Sequence, residues 1–257
     1  MFIKSDINCN IGSVRPNNED IILFGGELFR DQTQTLDFEI EEKSRFAVVI
    51  ADGMGGHSGG EIASEYAAQF FGDFVSELPD DLSAEEITEK IEDWTQVAHN
   101  NLLLQGAQNP EYNGMGTTFC GILFYEKLIL AINIGDSRLY RFRNDILRQI
   151  STDHSMQQLT RNETLPSNLI GNSLGAGDSA FVDVKDLTGL IYDDDIFLIC
   201  SDGLSDMITD EEIEQILLTE PTAEKLVEAA KNAGGKDNVS VVLLTIKETE
   251  SGTRKPA

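Results

Sequence analysis

Short, unbroken apolar runs alternate with stretches of helical spacing along this chain. Phe46 to Ala51, Ile129 to Ile134, Ile196 to Cys200 and Val239 to Ile246 are continuous enough to predict strands buried on both faces. Phe2 to Ile11 reads as an opening strand, and Glu19 to Phe24 starts another. The polar stretch from about Gly26 to Lys43 suits an extended hairpin or a variable loop. Ile62, Tyr66, Ala67, Phe70, Phe71 and Phe74 then recur at helical spacing, as do Ile87, Ile91, Trp94, Val97, Ala98 and Leu102. Ser83 and Glu86 make a capping box for the second of these helices.

Four strand-like segments come next, near Gly116 to Tyr125, Leu128 to Ile134, Ser137 to Phe142 and Ile146 to Ile150. Glu126-Lys127 and Arg143-Asn144-Asp145 read as their hairpin turns. From about Ser155 to Asp178 the chain is rich in Asn, Gly and Ser and reads as irregular, with strands resuming at Ser179 to Val184. Thr209 with Glu212 caps a helix over Asp210 to Leu218, and Pro221 begins another that runs to about Ala233. Many antiparallel-type strands interleaved with two helical pairs predict an α+β sandwich of sheets covered by helices. One domain over residues 1–247 and a flexible tail over 248–257 complete the expected organisation.

Composition narrows the function classes. A chain of 257 residues buries a full core without covalent staples. Cys9, Cys120 and Cys200 lie in apolar surroundings without paired spacing, which fits reduced thiols in a cytoplasmic protein. No Cys/His cluster has zinc spacing. No apolar stretch approaches the roughly 20 residues of a membrane helix, and no secretory leader is visible at the start. The formal charge of −26 disfavours nucleic acid and anionic membranes as partners. Much of it falls in helix-like segments such as Asp80 to Asp93 and reads as a solvated face.

Candidate chemistry lies where the apolar runs end. Asp52-Gly53, Asp136-Ser137, Asp202-Gly203 and Lys236-Asp237-Asn238 each adjoin a predicted strand. Any one Asp-Gly step is a turn former first. Four aspartates beside buried strands can converge in space, and gathered carboxylates repel unless cations lie between them. An all-oxygen ligand set suits Mg²⁺ or Mn²⁺ rather than zinc or copper.

The surrounding motifs come in a telling order. Gly12-Ser13-Val14-Arg15-Pro16-Asn17-Asn18-Glu19-Asp20 precedes Ala51-Asp52-Gly53-Met54-Gly55-Gly56-His57 and Gly116-Thr117-Thr118. Ile134-Gly135-Asp136-Ser137-Arg138, Cys200-Ser201-Asp202-Gly203-Leu204 and Lys236-Asp237-Asn238-Val239-Ser240 come after. Taken together, from Phe2 to Ile246, the chain resembles the metal-dependent serine/threonine protein phosphatases of the 2C family, in their bacterial branch. The resemblance implies a four-layer α-β-β-α sandwich of two antiparallel sheets with a two-metal cleft at one end. Asp52 would bridge both ions and the Gly53 carbonyl would ligate one. Asp202 and Asp237 would complete the other ion's protein ligands. Glu19 matches a glutamate that reaches a metal directly or through water, and Asp20 is better placed as support. Asp136, with Asp202, matches a third, more weakly bound ion, and Arg15 matches the clamp on the substrate phosphate.

The same resemblance implies hydrolysis of phosphoserine and phosphothreonine on proteins by a metal-bridging hydroxide that attacks phosphorus. Two Mn²⁺ or Mg²⁺ ions, with a weaker third, are the implied cofactors. The implied partners are phosphorylated proteins, among them a bacterial serine/threonine kinase or its targets, and the protein is expected as a cytoplasmic monomer. A non-catalytic binding module and a metallophosphatase for another phosphoester are the competing readings. Two departures stand out. Met54 occupies a position where many eukaryotic relatives carry a general-acid histidine, and it cannot donate a proton. The flap, about residues 155–178, reads as shortened, and Asn172 or Ser173 stands where an arginine usually precedes the Leu174-Gly175 step. His57 is expected to make structural hydrogen bonds, His154 to lead into the flap, and His99 to be a surface or partly buried residue without a role.

Overall fold

The computed structural model describes residues 1–55, 59–166 and 169–247. His57, expected to make structural hydrogen bonds, lies outside the described residues with its neighbours Gly56 and Ser58, and so does the expected tail 248–257. In chain order the first strands are β1 (Phe2–Asn10), β2 (Asp20–Phe24), β3 (Glu27–Phe29), β4 (Thr33–Glu39) and β5 (Arg45–Met54). Helices α1 (Gly59–Glu77) and α2 (Ala84–Gln108) follow, then β6 (Gly116–Thr117), β7 (Phe119–Tyr125), β8 (Leu128–Ile134), β9 (Arg138–Arg143) and β10 (Ile146–Gln149). Next come α3 (Met156–Thr160), β11 (Asp183–Asp186), β12 (Ile196–Cys200), α4 (Asp202–Ser205), α5 (Asp210–Thr219), α6 (Ala223–Asn232) and β13 (Val239–Lys247).

Two antiparallel sheets form. The first runs β10-β9-β12-β13-β1-β4; the second runs β11-β8-β7-β5-β2-β3, with β6 paired to β5. Alternation within each apolar run divides it between two cores. Val48 and Ile50 of β5 pack with Ile3, Ile7, Val242 and Leu244 between the sheets. Ala47, Val49 and Ala51 of the same strand face α1 and α2, where Phe71 meets Trp94 edge-on at 4.8 Å and Phe119 at 4.9 Å. Val241 and Leu243 of β13 turn the other way, onto Ile213, Leu226 and Val227 of α5 and α6. Both faces of the central strands are therefore dry, which is why their runs are unbroken.

Local signals act as the sequence indicates. Both capping boxes are made, Ser83 with Glu86 and Thr209 with Glu212. Asn144 and Asp145 both sit at positive φ, the conformation a two-residue hairpin turn requires. Three expectations are corrected. The stretch 155–178 is not wholly irregular: Ser155 caps the short helix α3, which ends at Arg161 in the left-handed region. The polar segment after β2 does not form one hairpin, because β3 edges the second sheet and β4 the first. The strand expected from Ser179 begins only at Asp183, since the Asn172 side chain occupies both backbone groups of Phe181.

Candidate metal centre

Asp20 and Asp52 stand directly opposite in the β2–β5 ladder. Opposite residues share one face with Cβ atoms roughly 5 Å apart, so the second sheet carries two carboxylates side by side. The Asp52 peptide is held from both sides. Its N–H donates to Thr118 Oγ1 at 3.1 Å, and its carbonyl accepts from Thr117 Oγ1 and from the Thr118 N–H, each at 2.9 Å. This is the work of the Gly116-Thr117-Thr118 motif, which sequence alone left without a role.

The first sheet supplies Asp202 and Asp237. Asp202 follows β12 and opens α4; Asp237 lies just ahead of β13. A Cβ on Gly203 would run into the Asn238 carbonyl, so only glycine lets these two loops close on each other. Asn238 then fixes the segment that carries Arg15. Its Nδ2 donates to the carbonyls of Ile11 at 3.0 Å and Asn17 at 2.9 Å, and its Oδ1 accepts from the Glu19 N–H at 2.9 Å. Arg15 Nη2 donates to Asp237 Oδ2 at 2.6 Å.

Asp20 is buried, and its Oδ2 accepts from Ser201 Oγ at 2.8 Å. Ser201 Oγ in turn accepts from the Ser240 N–H at 3.0 Å, so the support that sequence assigned to Asp20 runs across to the other sheet. Half-buried Glu19 contributes its backbone most visibly: its carbonyl accepts from Ser64 Oγ at 2.6 Å and from the Gly53 N–H at 3.2 Å. Asp136, in the turn from β8 to β9, is buried, and its Oδ1 has no hydrogen-bond partner.

Crowding and burial shift these acids together. Burial, and then the charges of Asp20 and Asp202, raises Asp52 well above the usual carboxylate range, although its cleft keeps it partly open to solvent. Burial likewise pushes Asp20 up to about 7, against hydrogen bonds from Ser240 and Ser201 that lower it. Asp136 rises to about 7 through burial and the charge of Asp202. Asp202 rises to about 6 through burial and the charges of Asp237 and Asp206. Burial raises Glu19, and the hydrogen bond to Asp237 raises Arg15.

Among the described residues, no three His, Cys, Asp or Glu side chains close on a common point as a finished cage. The fit to cations rests instead on donor chemistry. The acids are oxygen donors only, they repel one another, and an oxygen of Asp136 is buried without a partner. That is the environment a hard divalent ion relieves. Asp206, not singled out from sequence, also faces Asp202. Its signal was the four-residue helical spacing from Asp202.

Comparison with known proteins decides the family. The family model described as protein phosphatase 2C matches residues 25–243. The chain belongs to the protein phosphatase 2C family. It is an enzyme of that family's bacterial serine/threonine phosphatase branch, a metal-dependent class of hydrolases. It is 32% identical over 256 residues to the serine/threonine phosphatase stp of Listeria innocua, spanning 94% of this chain and 95% of that one. It is 31% identical to the protein phosphatase PhpP of Streptococcus pneumoniae, over 94% of this chain and 97% of the other. Among solved structures, the serine/threonine phosphatase of S. agalactiae superposes with a TM-score of 0.80 at 27% identity, covering 95% of this chain and all of that one. The Mycobacterium tuberculosis phosphatase PstP/Ppp gives 0.74 at 28% identity, covering 96% and 100%.

Two further side chains of this phosphatase 2C fold have definite partners. Arg138 clamps Asp153 through Nε at 3.1 Å and Nη2 at 2.8 Å, and its charge also acts on Asp206. His99 is a correction: it is buried, not at the surface, and its Nδ1 accepts from the Gly175 N–H at 3.1 Å. Helical spacing put His99 beside the Ala98 stripe, but only the fold shows which loop meets it. No described helix is long and apolar enough to cross a membrane.

Proposed function

We propose that the protein hydrolyses phosphoserine and phosphothreonine on proteins with Mn²⁺ or Mg²⁺, reversing a serine/threonine kinase. Asp52, the Gly53 carbonyl, Asp202 and Asp237 would hold two ions, with Glu19 reaching one of them. Asp136 with Asp202 would hold a weaker third. Divalent ions there supply the activated hydroxide and the positive charge that a phosphate monoester dianion needs. The observation that carries this reading is the meeting of acids from both sheets beside the Arg15 guanidinium, 2.6 Å from Asp237.

The chain's own groups take definite parts. Arg15 binds phosphate oxygens in a planar fork that lysine does not match. Asp20 holds Ser201 at 2.8 Å and so steadies the neighbouring Asp202. Met54, in β5 beside Gly53, has no proton to give, so protonation of the leaving alkoxide would fall to water or to another group of the cleft. A cytoplasmic monomer of one domain over residues 1–247 suits this work.

The test is phosphate release from a phosphothreonine peptide and a phosphotyrosine control, with Mn²⁺, Mg²⁺ or chelator, comparing the natural chain with Asp52→Asn. Metal-dependent release from phosphothreonine alone, abolished in the variant, is expected. A folded protein silent under every metal would sink the proposal and favour a binding module.

A further inference from the structure

Asn172, in the flap, can adopt only one amide orientation. Its Oδ1 accepts from the Phe181 N–H at 3.1 Å while its Nδ2 donates to the Phe181 carbonyl at 2.8 Å. Exchanging the two atoms would set donor against donor and acceptor against acceptor. Nδ2 therefore also donates to His154 Nδ1, 2.8 Å away. The Gly135 N–H donates to the same ring nitrogen at 3.2 Å. A nitrogen that receives two donors is the bare one, which leaves the ring hydrogen on Nε2. Nε2 lies 3.3 Å from Asp183 Oδ2, off the line of a good hydrogen bond, and the ring packs on Phe181 with centroids 4.5 Å apart.

His154 grips Gly135 a second time. Its backbone N–H donates to the Gly135 carbonyl at 2.8 Å, where Asn133 Nδ2 also donates at 3.2 Å. Gly135 rests at φ +109°, a conformation open to glycine, and the next residue is Asp136. With no partner on Asp136 Oδ1, the aim of that carboxylate is left to this clamped turn. On its other side the His154 carbonyl accepts from the Gly171 N–H at 2.8 Å, so one residue joins the flap to the turn. From the turn the link continues through Ser137 Oγ to Thr118 Oγ1 at 2.8 Å, and from there to the Asp52 N–H.

We infer that His154 and Asn172 are positioning residues, which hold the Asp136 carboxylate in register with the flap through a fixed imidazole tautomer. Asn172 holds the Phe181 peptide and His154 Nδ1 at once, so this contact anchors the flap in this chain. The inference rests on the proposed role of Asp136 toward a cation.

The test combines two measurements on the full chain. Nitrogen-15 NMR of the imidazoles, with His154 assigned through His154→Gln, reads the tautomer. Calorimetric titration with Mn²⁺ compares the natural chain with Asp136→Asn, His154→Gln, Asn172→Asp and the Asp136→Asn/Asn172→Asp pair. Asn172→Asp keeps the shape and the bond from the Phe181 N–H, but turns an acceptor toward Nδ1. A bare Nδ1 is expected in the natural chain, and Asp136→Asn should delete the weakest Mn²⁺ event. His154→Gln and Asn172→Asp should weaken that same event about 10-fold or more and leave the tighter events unchanged, and Asn172→Asp should add nothing to Asp136→Asn. A protonated Nδ1, or folded variants with unaltered Mn²⁺ binding while Asp136→Asn loses it, would overturn the positioning role. Unaltered binding in Asp136→Asn would instead overturn the cation role of Asp136, and the inference with it. Should Asn172→Asp fail to fold, His154→Gln and the tautomer still decide.

Discussion

Arg15 donates to Asp237 at 2.6 Å, so the group that should grip a substrate phosphate rests on a carboxylate that should grip an ion. Phosphate and Asp237 compete for one guanidinium. Arg15→Ala should therefore raise the KM for a phosphothreonine peptide about 10-fold or more, the worth of a charge-assisted hydrogen bond. Mn²⁺ binding to the same variant should hold or tighten. Steady-state kinetics beside calorimetry check this, and a KM that stays put would remove Arg15 from phosphate binding.

Gly203, next to Asp202, lies against the Asn238 backbone with no room for a Cβ. Gly203→Ala must push the α4 loop off Asn238, at about 1–3 kcal/mol for an overpacked contact. The expected result is a modest loss in Tm with a disproportionate loss of Mn²⁺ affinity. Equal affinity in the variant would mean that the two loops need not meet.

The raised acids predict a pH trend with a definite sign. Asp20 and Asp136 titrate near 7 and Asp202 near 6 in the fold, against about 4 when unfolded. Between those values the folded chain holds protons that the unfolded chain has released. In chelator these groups therefore cost stability as pH rises from about 4 to 7, with no further cost above it. Mn²⁺ must displace those protons, so its stabilisation should be larger at the alkaline end. Thermal melts across this range should show both effects, and Asp20→Asn should flatten the slope in chelator. An unchanged slope would mean that Asp20 does not titrate there.

Phe71 is fully buried between Trp94 and Phe119. Phe71→Ala should cost about 3–5 kcal/mol in denaturant unfolding, as for other large aromatic truncations. A cost well below that would show that α1 can settle into the gap.

Much of the fold is written locally. The unbroken run at Phe46 to Ala51, the Ser83/Glu86 box and the Asn144-Asp145 turn each carry their own physical cause, and each forms where its residues indicate. The six motifs named the family because their glycines and aspartates answer to backbone clearances and ligand chemistry rather than to distant packing. The features that stayed hidden depend on partners far along the chain. Nothing near Ser179 shows that Asn172 will occupy the Phe181 peptide. Nothing near His99 shows that Gly175 will meet it, and nothing in the run after Phe24 says that β4 will leave the sheet that β3 joins.

Asp20 and Asp52 lie in strands of one sheet, Asp202 and Asp237 in the segments that adjoin β12 and β13 of the other, and the bond from Ser201 to Asp20 spans them. Cations held by both sets would act as rivets through the sandwich, so affinity for them becomes a gauge of how tightly the two layers sit. The linkage is reciprocal. Any partner that prises or squeezes the sheets, even from the far helical layer, would change ion affinity by the same factor with which ions change its own binding. Turnover could then be tuned by grip on the outside of the molecule, with no contact in the cleft at all.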